Sequence, residues 1–343
     1  MKKKKKVTMQ DIANELGISK VTVSKAFNDK YGVGQELKED ILKKAEEMGY
    51  RFRKAVIEED NKPKHIIIFM AHKYFGEGTK VYFYVNMYQR ITKELNEIGY
   101  IGTLSTVTPD DRGGNLTSLI ESRNIDAIMI LGNLEESFLE SVRKLTIPKI
   151  YVDCMEVSAI SDCVLSENIY STYELTRHLL DQGHHYIGYV GSVLVTQSIA
   201  DRFLGYQRAL LERKIMVRKD WVLEDRDYHN EEIDFELPKE MPTAFVCNCD
   251  ETAYRFIKAL RNHGIKVPEE ISIVSFDNDI YAEICDPKLT TVAVDIDGIA
   301  KAAVRKVKRR VERKKSTSRG ATMINGKIIY RESVHPNRAS NLF

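Results

Sequence analysis

A chain of 343 residues, 43% hydrophobic and 30% charged, has enough material for one small domain and a larger body of two lobes. No apolar run approaches the ~20 residues of a membrane span, the start lacks a secretory apolar region, and five cysteines, an odd number, argue for buried thiols in a reducing cytoplasm rather than a disulfide framework. The formal charge of +2 is unevenly spread, with 14 basic against 8 acidic residues over 1–54 and 38 against 42 over the rest, so the cationic end is where a polyanion is expected to bind.

In chain order, Lys2 to Lys6 read as a solvated basic arm. Thr8 and Asp11 form a helix start in which the hydroxyl accepts an orphan backbone N–H and the carboxylate sits at the positive end of the helix dipole. Ile12, Ala13 and Leu16 make an apolar stripe, Gly17 permits the left-handed turn that ends the helix, and Ser19 caps the next one. On that second helix Val23, Ala26 and Phe27 face inward, whereas Lys20, Val21 and Lys25 face outward toward base edges. Thr8, Ser19, Thr22, Ser24 and Asn28 are placed to reach phosphates. A third helix is expected from Gln35 to Met48, closed by Gly49, with Leu37, Ile41, Leu42, Ala45 and Met48 at helical spacing. Two short amphipathic helices with a glycine between them also occur in bundles that bind no DNA.

From Val7 to Asn28 the sequence resembles the N-terminal pattern of the lactose/galactose repressor (LacI/GalR) family of bacterial transcription regulators. Two departures stand out. Leu16 takes a position where Ala is usual, and Lys25 replaces an Arg that would fork onto guanine, giving a looser point-charge contact. The resemblance implies a hinge helix after the headpiece that forms on DNA and inserts a Leu wedge into the minor groove from each subunit of a dimer. Here the wedge position falls on Glu59 within Glu58-Glu59-Asp60, and Phe52 stands at the family's Pro. Arg51, Arg53 and Lys54 remain as phosphate contacts and Ile57 as the nearest large apolar side chain; an acidic solvated linker is the other reading of this stretch.

Beyond Pro63, short apolar runs alternate with helical segments. His65–Ala71, Ile101–Leu104, Ala127–Leu131 and Lys149–Val152 suit buried parallel strands, with helices over Met87–Ile98 and Gly114–Ser122; Tyr186–Val190, Thr243–Val246 and Ile271–Val274 begin a second series. Lys301 to Lys315 read as an amphipathic helix with a solvated cationic face. The segments Gly183–Gly191 and Val267–Asn278, extended by Leu289–Val292, resemble the family's sugar-binding-protein-like core. The expected fold is therefore α/β: an N-terminal three-helix helix-turn-helix headpiece (1–50), a hinge or linker (51–63) and a two-lobed periplasmic-binding-protein-like core of doubly wound parallel sheets (64–343). The resemblance places lobe 1 at about 64–163 and 293–324, and lobe 2 at about 164–292 and 325–343, with crossings near 164, 293 and 325.

Ligands of such folds sit at the carboxyl ends of strands, between the lobes. The resemblance carries a ligand contact to Asp277, which ends a strand and can accept from vicinal hydroxyls, and to Arg202 in Arg-Phe-Leu-Gly-Tyr, which can offer a bidentate fork. Asp153, Asp250, Thr196 and Ser198 are further polar candidates; Phe83, Tyr84 and Tyr228 can stack on a sugar face or pack in the core. The loop Ala71 to Lys80, with His72, Lys73, Tyr74 and Lys80, could form a cationic lip favouring an anionic effector, or simply be solvated.

Phosphate-cradling glycine loops, a nucleophile elbow and metal-spaced His/Glu pairs are absent, so no enzyme, cofactor or metal is expected, and His184 and His185 read as structural. The expectation is a homodimeric, sequence-specific DNA-binding repressor of a carbohydrate-use operon, acting in the cytoplasm at the nucleoid, with a pseudopalindromic operator and a small sugar or sugar-derivative effector. Two alternatives are a small-molecule binding module with weakened DNA recognition and a regulator driven by a phosphoprotein partner.

Overall fold

A computed structural model of the chain describes residues 7–27, 32–48, 50, 62–75, 80–155, 161–227, 231–312 and 320–337. The chain forms two compact units, Met1–Pro63 and Lys64–Phe343.

The first unit holds α1 (Met9–Leu16), α2 (Lys20–Phe27) and α3 (Gln35–Glu47). At the start of α1, Thr8 and Asp11 form a reciprocal capping box, and Gly17, at φ 63°, closes the helix in the left-handed conformation. Ser19 accepts the Thr22 backbone N–H at 3.0 Å and so caps α2. Ile12, Ala13, Val23, Ala26, Phe27, Ile41 and Ala45 make one buried cluster. Tyr50 closes it by stacking on Phe27 with ring centroids 5.6 Å apart. The α3 stripe ends one residue early, with Met48 as its cap.

In the second unit one sheet comprises β1 (Lys64–Ala71), β2 (Tyr100–Val107), β3 (Ile125–Leu131), β4 (Lys149–Val152), β5 (Asp162–Ser166) and β11 (Ala321–Ile324), ordered β11-β5-β4-β3-β1-β2 and parallel throughout. The other comprises β6 (Ile187–Val190), β7 (Val222–Leu223), β8 (Ala244–Cys247), β9 (Ser272–Asp277), β10 (Thr290–Ala293) and β12 (Lys327–Ile329), ordered β12-β10-β9-β8-β6-β7, with β12 antiparallel at its edge. Helices cover the sheets: α4 (Lys80–Glu97), α5 (Leu116–Ser122), α6 (Glu136–Arg143) and α11 (Ile296–Glu312) belong with the first. The second carries α7 (Asn168–Asp181), α8 (Gln197–Glu212), α9 (Asp250–Asn262) and the short α10 (Ile280–Ile284).

Continuous apolar strands follow from burial on both faces. Ile66, Ile68 and Met70 of β1 enter one core cluster, while Ile67 and Phe69 enter the cluster on the opposite face. The chain leaves the first sheet after Ser166, two residues beyond the expected crossing at 164, because Asp162–Ser166 pairs with β4 and β11. It returns between Ala293 and Ile296, and crosses again between Ile324 and Lys327. On the second lobe α7 and α8 approach so closely that a Cβ on Gly205 would lie 2.2 Å from the Ile169 carbonyl oxygen. His184 is structural, with Nε2 donating to the His335 carbonyl at 3.0 Å.

Two expectations need correction. The first long helix of the core starts at Lys80 rather than Met87. The cationic face of α11 is not simply solvated: Lys306, at 3.4 Å, and Arg310 converge on Asp162, which is only 3% exposed at the start of β5. Lys306 also donates to the Gly320 carbonyl at 2.8 Å, so the helix clamps β5 to the turn before β11. A buried carboxylate needs such partners, and neutralising it strands their charges. Asp162→Asn is therefore expected to destabilise the core by about 3 kcal/mol, read as a lower denaturation midpoint at unchanged slope. A loss below about 1 kcal/mol would show that the cluster behaves as a solvated surface pair.

Candidate functional site

On the helix-turn-helix, the capped turn fixes which side of α2 is free. With Val23, Ala26 and Phe27 spent on the core, Lys20, Lys25 and Ser19 are exposed, and so is Val21, a large apolar residue 63% exposed with no fold-level use. Such a face, with cations beside a lone aliphatic, suits base edges and the thymine methyl. The hydroxyls are less free than expected: Thr8 is engaged with Asp11, and Ser19 and Thr22 share a hydrogen bond of 2.8 Å. Their contribution is to hold the helix starts, and Ser24 is only partly exposed. Asn28, Arg51, Arg53, Lys54 and the acidic stretch around Glu59 lie outside the described residues.

In the second unit, a cavity of about 90 Å³ opens between the two sheets' carboxyl ends. From lobe 1, β4 ends at Val152 and Asp153 follows at φ 55°; from lobe 2, β9 ends at Asp277 with φ 109° and Asn278 at φ 54°. Non-glycine residues held in the left-handed region are strained, and here the turns aim two carboxylates from opposite lobes into one space. Tyr84 donates to Asp153 Oδ2 at 2.8 Å. Its ring stacks on Tyr74 at 4.0 Å between centroids, and Phe83 meets it edge-on at 5.2 Å. Gly132, at φ 72°, leaves room for this ring, since a Cβ there would lie 2.7 Å from Tyr84 Cε1.

Arg202 of α8 is buried, and each of its three nitrogens makes a hydrogen bond. Nε donates to Asn168 Oδ1 at 2.9 Å, Nη1 to the Asn248 carbonyl at 2.5 Å and Nη2 to Asp277 Oδ1 at 3.2 Å. Its guanidinium carbon sits 3.8 Å over the Phe276 ring. Behind it, Asp225 accepts from Arg226 Nε at 2.9 Å, Asn248 Nδ2 at 2.8 Å, Thr252 Oγ1 at 2.7 Å and the Ser192 backbone at 2.8 Å. Burial opposes the Asp225 charge, but these donors outweigh it and hold its carboxyl far below the usual range.

Phe83, Tyr84, Asp153, Thr196, Ser198, Arg202 and Asp277 all line the cavity. Thr196 caps α8 by accepting the Ile199 N–H at 3.3 Å and pairs with Ser198 at 3.1 Å. Asp250 does not line it. This carboxylate is buried, accepts from Ser275, from Thr291 Oγ1 at 2.7 Å and from the Asp279 N–H at 2.9 Å, and ties β9 to β10 and to the turn before α10. At the start of α9 its neighbours Cys249 and Glu251 reach the cavity instead. Tyr228 lies outside the described residues. Nor do His72 and Lys73 form a lip on the cleft: they are exposed beside a neighbouring hollow with Pro109 and Leu134, while Tyr74 turns inward.

Sequence reasoning named Tyr74 only as part of the lip and missed Asn133, Arg226, Asn248, Glu251 and Asp279, all of which line the cavity. Asp279 was legible as one more carboxylate after the Phe-Asp-Asn run; the Asp225–Arg226 scaffold had no periodic signal. Among the five cysteines, Cys154, Cys163, Cys247 and Cys285 are buried, and burial pushes the partly buried Cys249 thiol up to about 12, so it is protonated and inert.

These geometries have known counterparts. A profile described as "Bacterial regulatory proteins, lacI family" matches residues 8–51, and one described as "Periplasmic binding protein-like domain" matches 176–334. The chain thus carries a LacI-family helix-turn-helix domain followed by a periplasmic-binding-protein-like domain. Relatives of LacI type include the HTH-type transcriptional regulator DegA of Bacillus subtilis (strain 168), 25% identical over 339 residues, 96% of this chain and 99% of that one. Another is the HTH-type transcriptional repressor PurR of Vibrio campbellii (strain ATCC BAA-1116), 25% identical over 340 residues, 95% of this chain and 98% of that one. These relatives are regulators rather than enzymes. The LacI-type fold recurs in the transcriptional regulator CelR–cellobiose complex, with TM-score 0.65, 18% identity and coverage of 95% and 99%. It recurs also in the lac repressor dimer bound to operator, with TM-score 0.65, 17% identity and coverage of 96% and 99%. Among the described residues no helix is long and apolar enough to cross a membrane.

Burial, followed by the Asp277 charge, makes ionisation of Asp153 difficult: against help from Tyr84 and Arg202, its carboxyl is pushed up from 3.8 to about 6. A raised carboxyl binds its proton more tightly in the folded than in the unfolded chain, so its stabilisation is present below about pH 4 and lost as pH rises through about 6. Asp153→Asn, whose amide oxygen can still accept from Tyr84, is expected to melt above the parent near pH 8 and no higher near pH 4, by thermal denaturation. Equal melting at both would mean that the carboxylate is in open water.

Proposed function

We propose that the protein is a sequence-specific DNA-binding transcription regulator, a repressor that works as a homodimer on a pseudopalindromic operator in the cytoplasm, at the nucleoid. Its operator affinity is set by a small, sugar-like effector held between the lobes. The supporting observation is the exposed Lys20-Val21-Lys25 face on a helix whose other side is consumed by the core, in a chain that also builds an inter-lobe cavity lined by Arg202, Asp277 and Asp153. The lac repressor neighbour is a dimer on operator, and the CelR neighbour is a cellobiose complex, which supports the same division of labour.

Lys20 and Lys25 supply phosphate attraction and base-edge donors, Val21 an apolar contact, and the capped turn their register. A two-fold dimer presents two copies of this face, which requires two half-sites of opposite orientation. Because the chain crosses between lobes three times, a ligand that binds the closed cleft better than the open one biases the lobe arrangement.

Selection from a pool of random duplexes by the full chain is expected to enrich an inverted repeat. The Lys20→Ala/Lys25→Ala double variant is expected to lose at least about tenfold in affinity for it at fixed salt, with a shallower salt dependence. Enrichment of no motif, or full affinity in the double variant, would refute the DNA-reading assignment.

A further inference from the structure

We propose that the cleft takes a positively charged, hydroxyl-bearing ligand, an amine-bearing sugar or polyol, rather than a neutral or phosphorylated one. This rests on reading the cleft as the effector site, and it follows from the charges that face the cavity.

Four carboxylates line it: Asp153 from lobe 1, and Glu251, Asp277 and Asp279 from lobe 2. The two lining cations are Arg202 and Arg226. Each is already paired with a carboxylate of the protein. Arg226 is held by Asp225 through Nε at 2.9 Å and Nη2 at 2.5 Å, and Arg202 directs its three nitrogens at Asn168, Asn248 and Asp277. Among the described residues, Asp153, Glu251 and Asp279 have no ion-pair partner; Asp153 accepts from Tyr84 Oη at 2.8 Å, and Asp279 from the Tyr281 N–H at 2.8 Å, with the Ala282 N–H also favouring its charge. The cavity thus offers acceptors and negative charge and withholds cations.

A phosphate or carboxylate placed here meets like charge on both lobes. A neutral sugar can donate hydroxyls to the open oxygens but leaves the carboxylates uncompensated in a partly dry space. An ammonium group answers both needs, donating three hydrogen bonds and neutralising the surplus. The Tyr74, Phe83 and Tyr84 rings form the remaining wall, a surface that receives either the C–H face of a sugar ring or a cation. The arrangement also explains how ligand charge can drive closure: Asp153 belongs to one lobe and Asp277 and Asp279 to the other, so a cation between them attracts both sides. Without one, the carboxylates repel across the cleft, as the Asp277 charge of lobe 2 opposes ionisation of Asp153 of lobe 1.

The test is calorimetry on the full-length protein with matched hexose sets in the gluco, galacto and manno series, each comprising the neutral sugar, its 2-amino-2-deoxy derivative and its 6-phosphate. In at least one series the amino sugar is expected to bind at least about tenfold more tightly than its neutral parent, with the phosphate weakest. Asp153→Asn and Asp279→Asn are expected to bring that ratio toward one. Amino sugars that bind no better than their neutral parents in every series, including no binding by any member, overturn the proposal. Operator affinity measured with and without each sugar separates the two readings: a neutral sugar or a sugar phosphate that alters operator affinity ends this inference while upholding an effector-controlled regulator.

Discussion

Arg202 is the fixed point of the cleft. A guanidinium cannot shed its charge, so burying it obliges the fold to supply acceptors. Here they come from the first residue of α7, the loop after β8 and the end of β9, segments brought together only by the sheet. The same contacts orient Asp277, whose left-handed backbone would otherwise relax, and seat the Asn248 carbonyl, itself held through Asn248 Nδ2 by Asp225. Lobe 2 therefore presents a pre-organised wall of charge, in which a ligand meets groups already in place.

Lobe 1 answers with a lighter device. Asp153 is held by a single phenol, and that phenol by a stacked ring and by the space Gly132 leaves. The two walls are joined by three chain crossings near 167, 294 and 325, the kind of short connections that let lobes rotate as bodies. One wall rich in fixed charge and one with a raised carboxyl make the energy of the gap sensitive to what fills it. The helix-turn-helix unit has its own capped helices and its own core, so its reading face needs no contact with the rest to be formed.

Much of this was legible from the chain, and the reasons differ by element. The capping box at Thr8, the Gly17 turn and the inward set Val23, Ala26 and Phe27 are local signals, encoded within a few residues of where they act. The strands of the core were legible because burial on both faces demands unbroken apolar runs such as His65–Ala71. Less legible were β5, which carries the charged Asp162 and is stabilised from α11 more than a hundred residues away, and the early start of α4 at Lys80. Asp250 misled because adjacent residues at a helix start diverge by about 100°; one carboxylate went into the sheet and its neighbour into the cavity.

Composition and spacing by themselves determined that this chain has a cationic helix-turn-helix and an α/β body with polar residues at strand ends, since capping, periodicity and apolar runs are properties of neighbours in sequence. Only the tertiary structure decided that Arg202 and Arg226 are already paired with carboxylates, that Asp153, Glu251 and Asp279 make no ion pair among the described residues, and that the basic helix near the C-terminus clamps a strand. The reason is physical: the state of a charge depends on distances and desolvation across the folded chain, which a linear order of residues does not contain.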